Sequence, residues 1–314
     1  MIDAKFLYNP VDKGMFCHCP SILETQSGTL MVVWYTYPKE EHIGATLALT
    51  KISQGHVKWE PAKSILEKGE YSAGNPVLFQ DPGGRIHLLY VVLKGSYWND
   101  AYLQGVWSDD EGQTWSAPVQ LWQKPGMMIR HPPVLLDSGS YLFPAYDERT
   151  RKSLLLSSSP PFSKWNIAYC FEAPDVIQSA IVKSDDGKKL HKFFRPATDP
   201  RKIRVSHSVD QGKTWSQPKL TPLPNPLSGI SAFFANNNLV VVYNHTEEHQ
   251  RWPLSMSWSK DEGKTWEKVR HFDEAKLEVS YPSFIMGNNN MVHGVYTYNR
   301  RMIKYVKFGM DSFK

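Results

Sequence analysis

The sequence predicts an all-β protein, a β-propeller of about six blades. Three observations predict it. A polar turn pattern recurs near every fifty residues, short runs rich in Val, Ile, Leu, Tyr and Phe lie between the repeats, and long helical periodicity is absent. The 314 residues would suffice for two ordinary domains, but a large all-β domain can use the whole length, so one domain over residues 1–314 is expected.

The turn pattern reads S-x-D-x-G-x-T-W at Ser108–Trp115, Ser208–Trp215 and Ser259–Trp266. Degraded copies end at Trp59 and Trp165, so the tryptophans at 59, 115, 165, 215 and 266 are 56, 50, 50 and 51 residues apart. Each residue type has a reason to be there. The Asp carboxylate accepts N–H groups of its own loop, and the Ser and Thr hydroxyls add local bonds. Gly takes positive φ cheaply, and Trp buries a large plate between neighbouring sheets.

Between these turns lie TLMVVWYTY, RIHLLYVVL, NLVVVYNH and MVHGVYTY, two of them following polar turns such as Asp81–Gly84 and Asn236–Asn238. That is strand, turn, strand at propeller spacing. Five repeat positions plus a last blade in residues 280–314 make six. A strand near Lys5–Tyr8 is expected to close that last blade, so that no sheet edge is left bare.

Composition narrows the partners. The formal charge of +5 is mild, and no run of five basic residues occurs, which disfavours nucleic acid and membrane surfaces. No twenty-residue apolar stretch could span a bilayer, and the N-terminus lacks the apolar core of a secretory leader. Three cysteines are few and odd in number, and Cys17 and Cys19 are too close along a strand for an unstrained disulfide. A reduced, cytoplasmic setting is the expectation. In a strand the Cys17 and Cys19 sulfurs face away from the His18 ring, so the trio is not expected to share a metal ion. No metal-ligand spacing and no phosphate-cradling glycine loop is present, and no cofactor is expected. The 13% aromatic content suits stacked sheets and equally a sugar-binding cleft.

The three full repeats resemble the Asp-box turns of sialidases and their relatives. The resemblance extends to Asn75–Asp81, Asn225–Gly229, Tyr281-Pro282-Ser283 and Tyr296–Arg301, and covers roughly residues 14 to 308. It implies a six-bladed propeller whose Asp-box aspartates are structural. It also implies a site with an arginine clamp for the substrate carboxylate, a tyrosine nucleophile with an acidic partner, and a carboxylic acid that protonates the leaving oxygen. On that pattern Tyr281 is the nucleophile, Arg195 and Arg251 belong to the clamp, and Glu40 is the acid and base. Three positions depart from it. His18 stands for the first arginine, Gln178 for the acidic partner of the tyrosine, and Glu40 for an aspartate. Glu278, Arg300 or Arg301 could compensate, and Asn75 and Arg130 complete the expected substrate contacts. Each candidate has a plainer rival: Tyr281 as a packing residue at a strand start, Arg195 as one cation of a basic segment, Glu40 as a solvated loop residue, His18 as a structural histidine.

The reading placed first is a retaining exo-glycosidase acting on a terminal acidic sugar, sialic acid or a related ulosonic acid, with a glycan as partner. A second is a polysaccharide lyase or atypical glycosidase on uronate-containing glycans, with His18 as general base, since a neutral imidazole can take a proton α to a carboxylate. A third is a glycan-binding propeller without catalysis.

Overall fold

The computed structural model describes residues 2–9, 15–38, 44–66, 71–173, 176–267 and 269–309. Apart from one 3₁₀ turn at Trp98–Asp100, its regular elements are strands, and the architecture is the six-bladed β-propeller that the repeats predict. The chain divides into two compact units, residues 1–127 with 282–314, and residues 128–281.

The first unit holds two complete antiparallel sheets and most of a third. One runs β2 (Phe16–Glu24), β3 (Leu30–Tyr37), β4 (Thr46–Ile52) and β5 (Lys63–Ser64), each strand beside the next. Another runs β6 (Ser72–Gln80), β7 (Ile86–Leu93), β8 (Ala101–Ser108) and β9 (Val119–Gln120). In the third, β1 (Asp3–Tyr8) pairs with β25 (Met302–Gly309), which pairs with β24 (Met291–Tyr298) and then β23 (Val279–Met286). The closing strand is therefore the N-terminal one, from Asp3 opposite Lys307 to Tyr8 opposite Ile303.

In the second unit β12 (Tyr141–Asp147), β13 (Lys152–Ser158) and β14 (Asn166–Phe171) form one sheet with β10 (Met127–Ile129), and β11 (Val134–Leu135) pairs with β12. Two regular four-stranded sheets follow. The first contains β15 (Val176–Lys183), β16 (Leu190–Pro196), β17 (Lys202–Ser208) and β18 (Lys219–Pro224), and the second β19 (Ser231–Ala235), β20 (Asn238–Asn244), β21 (Leu254–Ser259) and β22 (Arg270–Asp273).

Every residue of β3 is buried, and only the last of β7 is not. Strands covered on both faces lose the in-out alternation of a half-exposed sheet and read as continuous apolar runs. The repeat tryptophans pack as their size requires. Trp59 meets Tyr305 edge-on at 5.2 Å, Trp215 meets Phe171 at 5.6 Å, and Trp266 meets Phe193 at 6.0 Å, each ring reaching an adjacent sheet of its own unit.

The Asp-box turns close as their residues dictate. In the first, Gly112 N–H donates to Ser108 Oγ at 2.8 Å, Thr114 N–H donates to Asp110 Oδ1 at 2.9 Å, and Thr114 Oγ1 donates to Asp110 Oδ2 at 2.6 Å. The turns at Asp210 and Asp261 repeat these bonds. Glycine is not alone in the left-handed region: Glu111, Gln211 and Glu262 precede the glycines at φ 57°, 60° and 60°. Bonds to the Asp oxygens, Thr114 foremost, hold the Asp110 carboxyl down at about 2, and Asp210 and Asp261 are held the same way.

Candidate functional site

The side chains that meet around Tyr281 belong to the second unit, and three strand starts in the molecule share the backbone device that aims it. Cys19, Asn75 and Tyr281 each adopt a left-handed conformation, φ 58°, 45° and 54°, directly before a proline. In β2 and β6 the step coincides with a break in register, between His18 and Ser21 and between Gly74 and Val77. Such a step turns side chains out of strict alternation. The alternation expected through Cys17-His18-Cys19 is accordingly interrupted at Cys19, and all three residues are buried.

Tyr281 lies among three guanidinium groups. Arg195, near the end of β16, donates from Nη1 to the Tyr281 hydroxyl at 3.3 Å. Arg130, next to β10 and only 2% exposed, donates from Nη2 to the Tyr281 carbonyl at 2.7 Å, and its guanidinium carbon is 5.6 Å from the ring centre. Arg251, ahead of β21, faces the same ring at 5.4 Å. Its Nη1 pairs with Glu278 Oε1 at 3.1 Å, and Ser280 Oγ donates to that same oxygen at 2.7 Å. Backbone bonds fix the segment: Val279 N–H donates to the Arg251 carbonyl at 2.9 Å, and buried Asn244 donates to the Val279 carbonyl at 2.7 Å.

Gln178 in β15 is 2% exposed; its amide makes a long 3.5 Å contact with the Tyr146 hydroxyl, while Oε1 is buried with no hydrogen-bond partner. Burial, reinforced by Glu148 and Tyr281 nearby, pushes the Tyr146 phenol well up. Gly229 closes the group: a Cβ there would stand 3.0 Å from Tyr281 Cδ1 and 3.1 Å from Gln178 Oε1. Beside Arg130, the His131 ring lies between two backbone carbonyls, at 3.1 Å from Pro132 and 3.2 Å from Ala232. Burial first, and the Arg130 charge, hold His131 down at about 4, so the ring is neutral near pH 7 and donates to only one of the two.

Of the sequence candidates, Arg130, Gln178, Arg195, Arg251, Glu278 and Tyr281 thus come together. Gly229, the last residue of the Asn225–Gly229 segment, and Ser280, which precedes Tyr281 and matches the family with it, join them, and Tyr146 does so without having been singled out. His18, Asn75, Arg300 and Arg301 belong to the first unit. There His18 meets Tyr35 edge-on at 5.8 Å, the Arg300 carbonyl accepts the Cys17 N–H at 2.8 Å, and the Arg301 guanidinium lies 3.6 Å over the Phe16 ring. Those contacts bring the 299–301 turn against the start of β2, whereas Asn75 sits buried in β6. Glu40 lies outside the described residues. Among the described residues no group of three or more His, Cys, Asp or Glu side chains could hold a metal ion.

No curated protein sequence matches the chain. Solved structures do, at low identity and high coverage. A protein of unknown function from Dyadobacter fermentans is 16% identical with a TM-score of 0.79, over 98% of both chains. The intramolecular trans-sialidase of Ruminococcus gnavus, solved with oseltamivir carboxylate, is 14% identical with a TM-score of 0.78, again over 98% of both. The leech intramolecular trans-sialidase complexed with 2,7-anhydro-Neu5Ac is 13% identical with a TM-score of 0.80, over 98% of this chain and 70% of that one. The family model for the BNR repeat-like domain matches residues 28–294. The propeller is sialidase-like, and the chain belongs to the BNR repeat-like domain family.

Proposed function

We propose that the protein is a sialidase-type exo-glycosidase that removes a terminal acidic sugar from a glycan. The observation that carries this reading is the gathering of Arg130, Arg195 and Arg251 around Tyr281, with Arg195 donating to the phenol oxygen. Guanidinium forks match a carboxylate with paired bonds, and a cluster of them selects an anionic sugar. Arg195 and Arg251 are the carboxylate ligands in this reading. Glu278 occupies one Arg251 nitrogen and leaves the rest of its fork for substrate.

Tyr281 attacks the anomeric carbon through Oη and gives up its phenolic proton to a solvent water, and the aglycone oxygen leaves with a proton from Glu40. A phenol suits this step because a carboxylate nucleophile would be repelled by the sugar's own carboxylate. Water activated by Glu40 then releases the sugar from the tyrosine, and two inversions leave the configuration retained. Gln178 hydrogen-bonds the sugar.

The test is incubation with a fluorogenic α-sialoside, with NMR identifying both the anomer released and any anhydro sugar of the kind held by the leech enzyme. Y281F is expected to abolish release. Full turnover by Y281F would overturn the mechanism.

Gln178 favours a second reading, a propeller that binds acidic glycans without cleaving them, because an amide cannot take the tyrosine's proton. Calorimetric binding of sialic acid without product from wild type, and product from Q178E, would select it.

A further inference from the structure

We propose that Arg130 is a positioning residue that locks Tyr281 in its left-handed backbone conformation, rather than a substrate ligand. The inference rests on the reading of Tyr281 as the reacting residue.

Two preferences oppose the observed conformation. A side chain with a Cβ avoids positive φ, and a residue before proline is pushed toward extended backbone. Tyr281 does both at once, at φ 54° ahead of Pro282. Asn75 makes the same step, but asparagine tolerates the left-handed region through its own short amide. Cys19 makes it with its N–H donated to Thr297 Oγ1 at 3.0 Å. For Tyr281 the anchor is the Arg130 fork, which reaches the carbonyl on the far side of the strained residue at 2.7 Å.

Arg130 is built for that task. It is almost wholly buried, and a charged donor to a buried carbonyl makes a strong bond. The same guanidinium backs the aromatic ring, so backbone and ring are held by one group. Arg195 and Arg251 differ: both are partly exposed, Arg195 aims at the phenol oxygen, and Arg251 already shares a carboxylate. Releasing the carbonyl frees Tyr281 to fall back to an extended backbone, which swings Oη away from Arg195.

The experiment compares wild type, R130M, R130K and R195M by crystal structure, by thermal melting and by steady-state kinetics on a fluorogenic α-sialoside. R130M is expected to melt cooperatively, to show Tyr281 outside the left-handed region, and to lose at least tenfold in kcat with KM within twofold of wild type. R195M is expected to raise KM instead. R130K, which keeps a single donor, is expected to recover part of kcat. Should R130M fail to fold, R130K carries the same readouts. Tyr281 at φ near 54° in a folded Arg130 variant, or a raised KM with kcat intact, overturns the assignment. A wild type without turnover defeats the glycosidase reading alone, because the crystal structures still decide what Arg130 holds.

Discussion

Gly229 offers the sharpest test of how tightly Tyr281 is confined. Its φ is not in the left-handed region, so alanine fits the backbone, and any effect of Gly229→Ala comes from one methyl group. That carbon would stand 3.0 Å from Tyr281 Cδ1, 3.3 Å from Cε1 and 3.1 Å from Gln178 Oε1. Carbon atoms pack at about 3.5–4.0 Å, so the ring edge must retreat by roughly 0.5–1 Å. It has little room, with Arg130 and Arg251 against the ring and Arg195 on the hydroxyl. Overpacking of this kind costs about 1–3 kcal/mol. A displacement of about 1 Å at a reacting group costs on the order of 10²-fold in rate. The expected result is a melting temperature a few degrees below wild type with kcat/KM on an acidic glycoside down about a hundredfold. Gly55→Ala is the control: its φ is 82° and nothing lies within 4 Å of the added carbon, so it strains a surface turn and leaves the site untouched. A Gly229→Ala protein with wild-type melting and wild-type rate, or wild-type affinity for sialic acid, would refute the packing argument.

Two further predictions concern pH. Asp110, Asp210 and Asp261 titrate near 2 in the fold against an ordinary 3.8, so their contribution is complete above pH 4 and drains away as pH falls toward 2. Acid titration followed by circular dichroism should show this loss, and replacing all three by asparagine should flatten it; an unchanged slope in the triple variant would refute the assignment. The histidines act in a milder window. His131 and His293 are held near 4 by burial, and His87 is lowered for the same cause, so the unfolded chain takes up protons from pH 6.5 downward while the fold does not. Stability is full above pH 6.5 and should decline between there and pH 4, read as a falling melting temperature, and a flat profile from pH 7.5 to pH 5 would contradict it.

The turns and the ring-closing strand were legible because their causes are local or periodic. Ser108, Asp110, Gly112 and Thr114 need only one another to close their loop, and the same four types recur at the same spacing. The pairing of β1 with β25 follows from counting blades. The surroundings of Tyr281 are another matter. Tyr146 is 135 residues away from it and Gly229 is 52 away, and neither lies in a repeated position that singles it out. Their roles arise from packing between strands, which leaves no period in the chain. One signal was there to use. Cys19-Pro20, Asn75-Pro76 and Tyr281-Pro282 recur near strand starts, and a residue forced into an unusual backbone before proline marks where side chains are being aimed.

The pairing of Asp3–Tyr8 with Met302–Gly309 has a consequence for biosynthesis. Asp3–Tyr8 leaves the ribosome some three hundred residues before its partner, so it must wait unpaired while the sheets between the two are made. Deletion of Asp3–Tyr8 strips one side of β25, and loss of β25 by early termination strips β1 and β24; either leaves a row of amide and carbonyl groups open to the next molecule. Truncated products are thus expected to self-associate, and a permuted chain with its ends joined and a new opening cut elsewhere would be spared the wait.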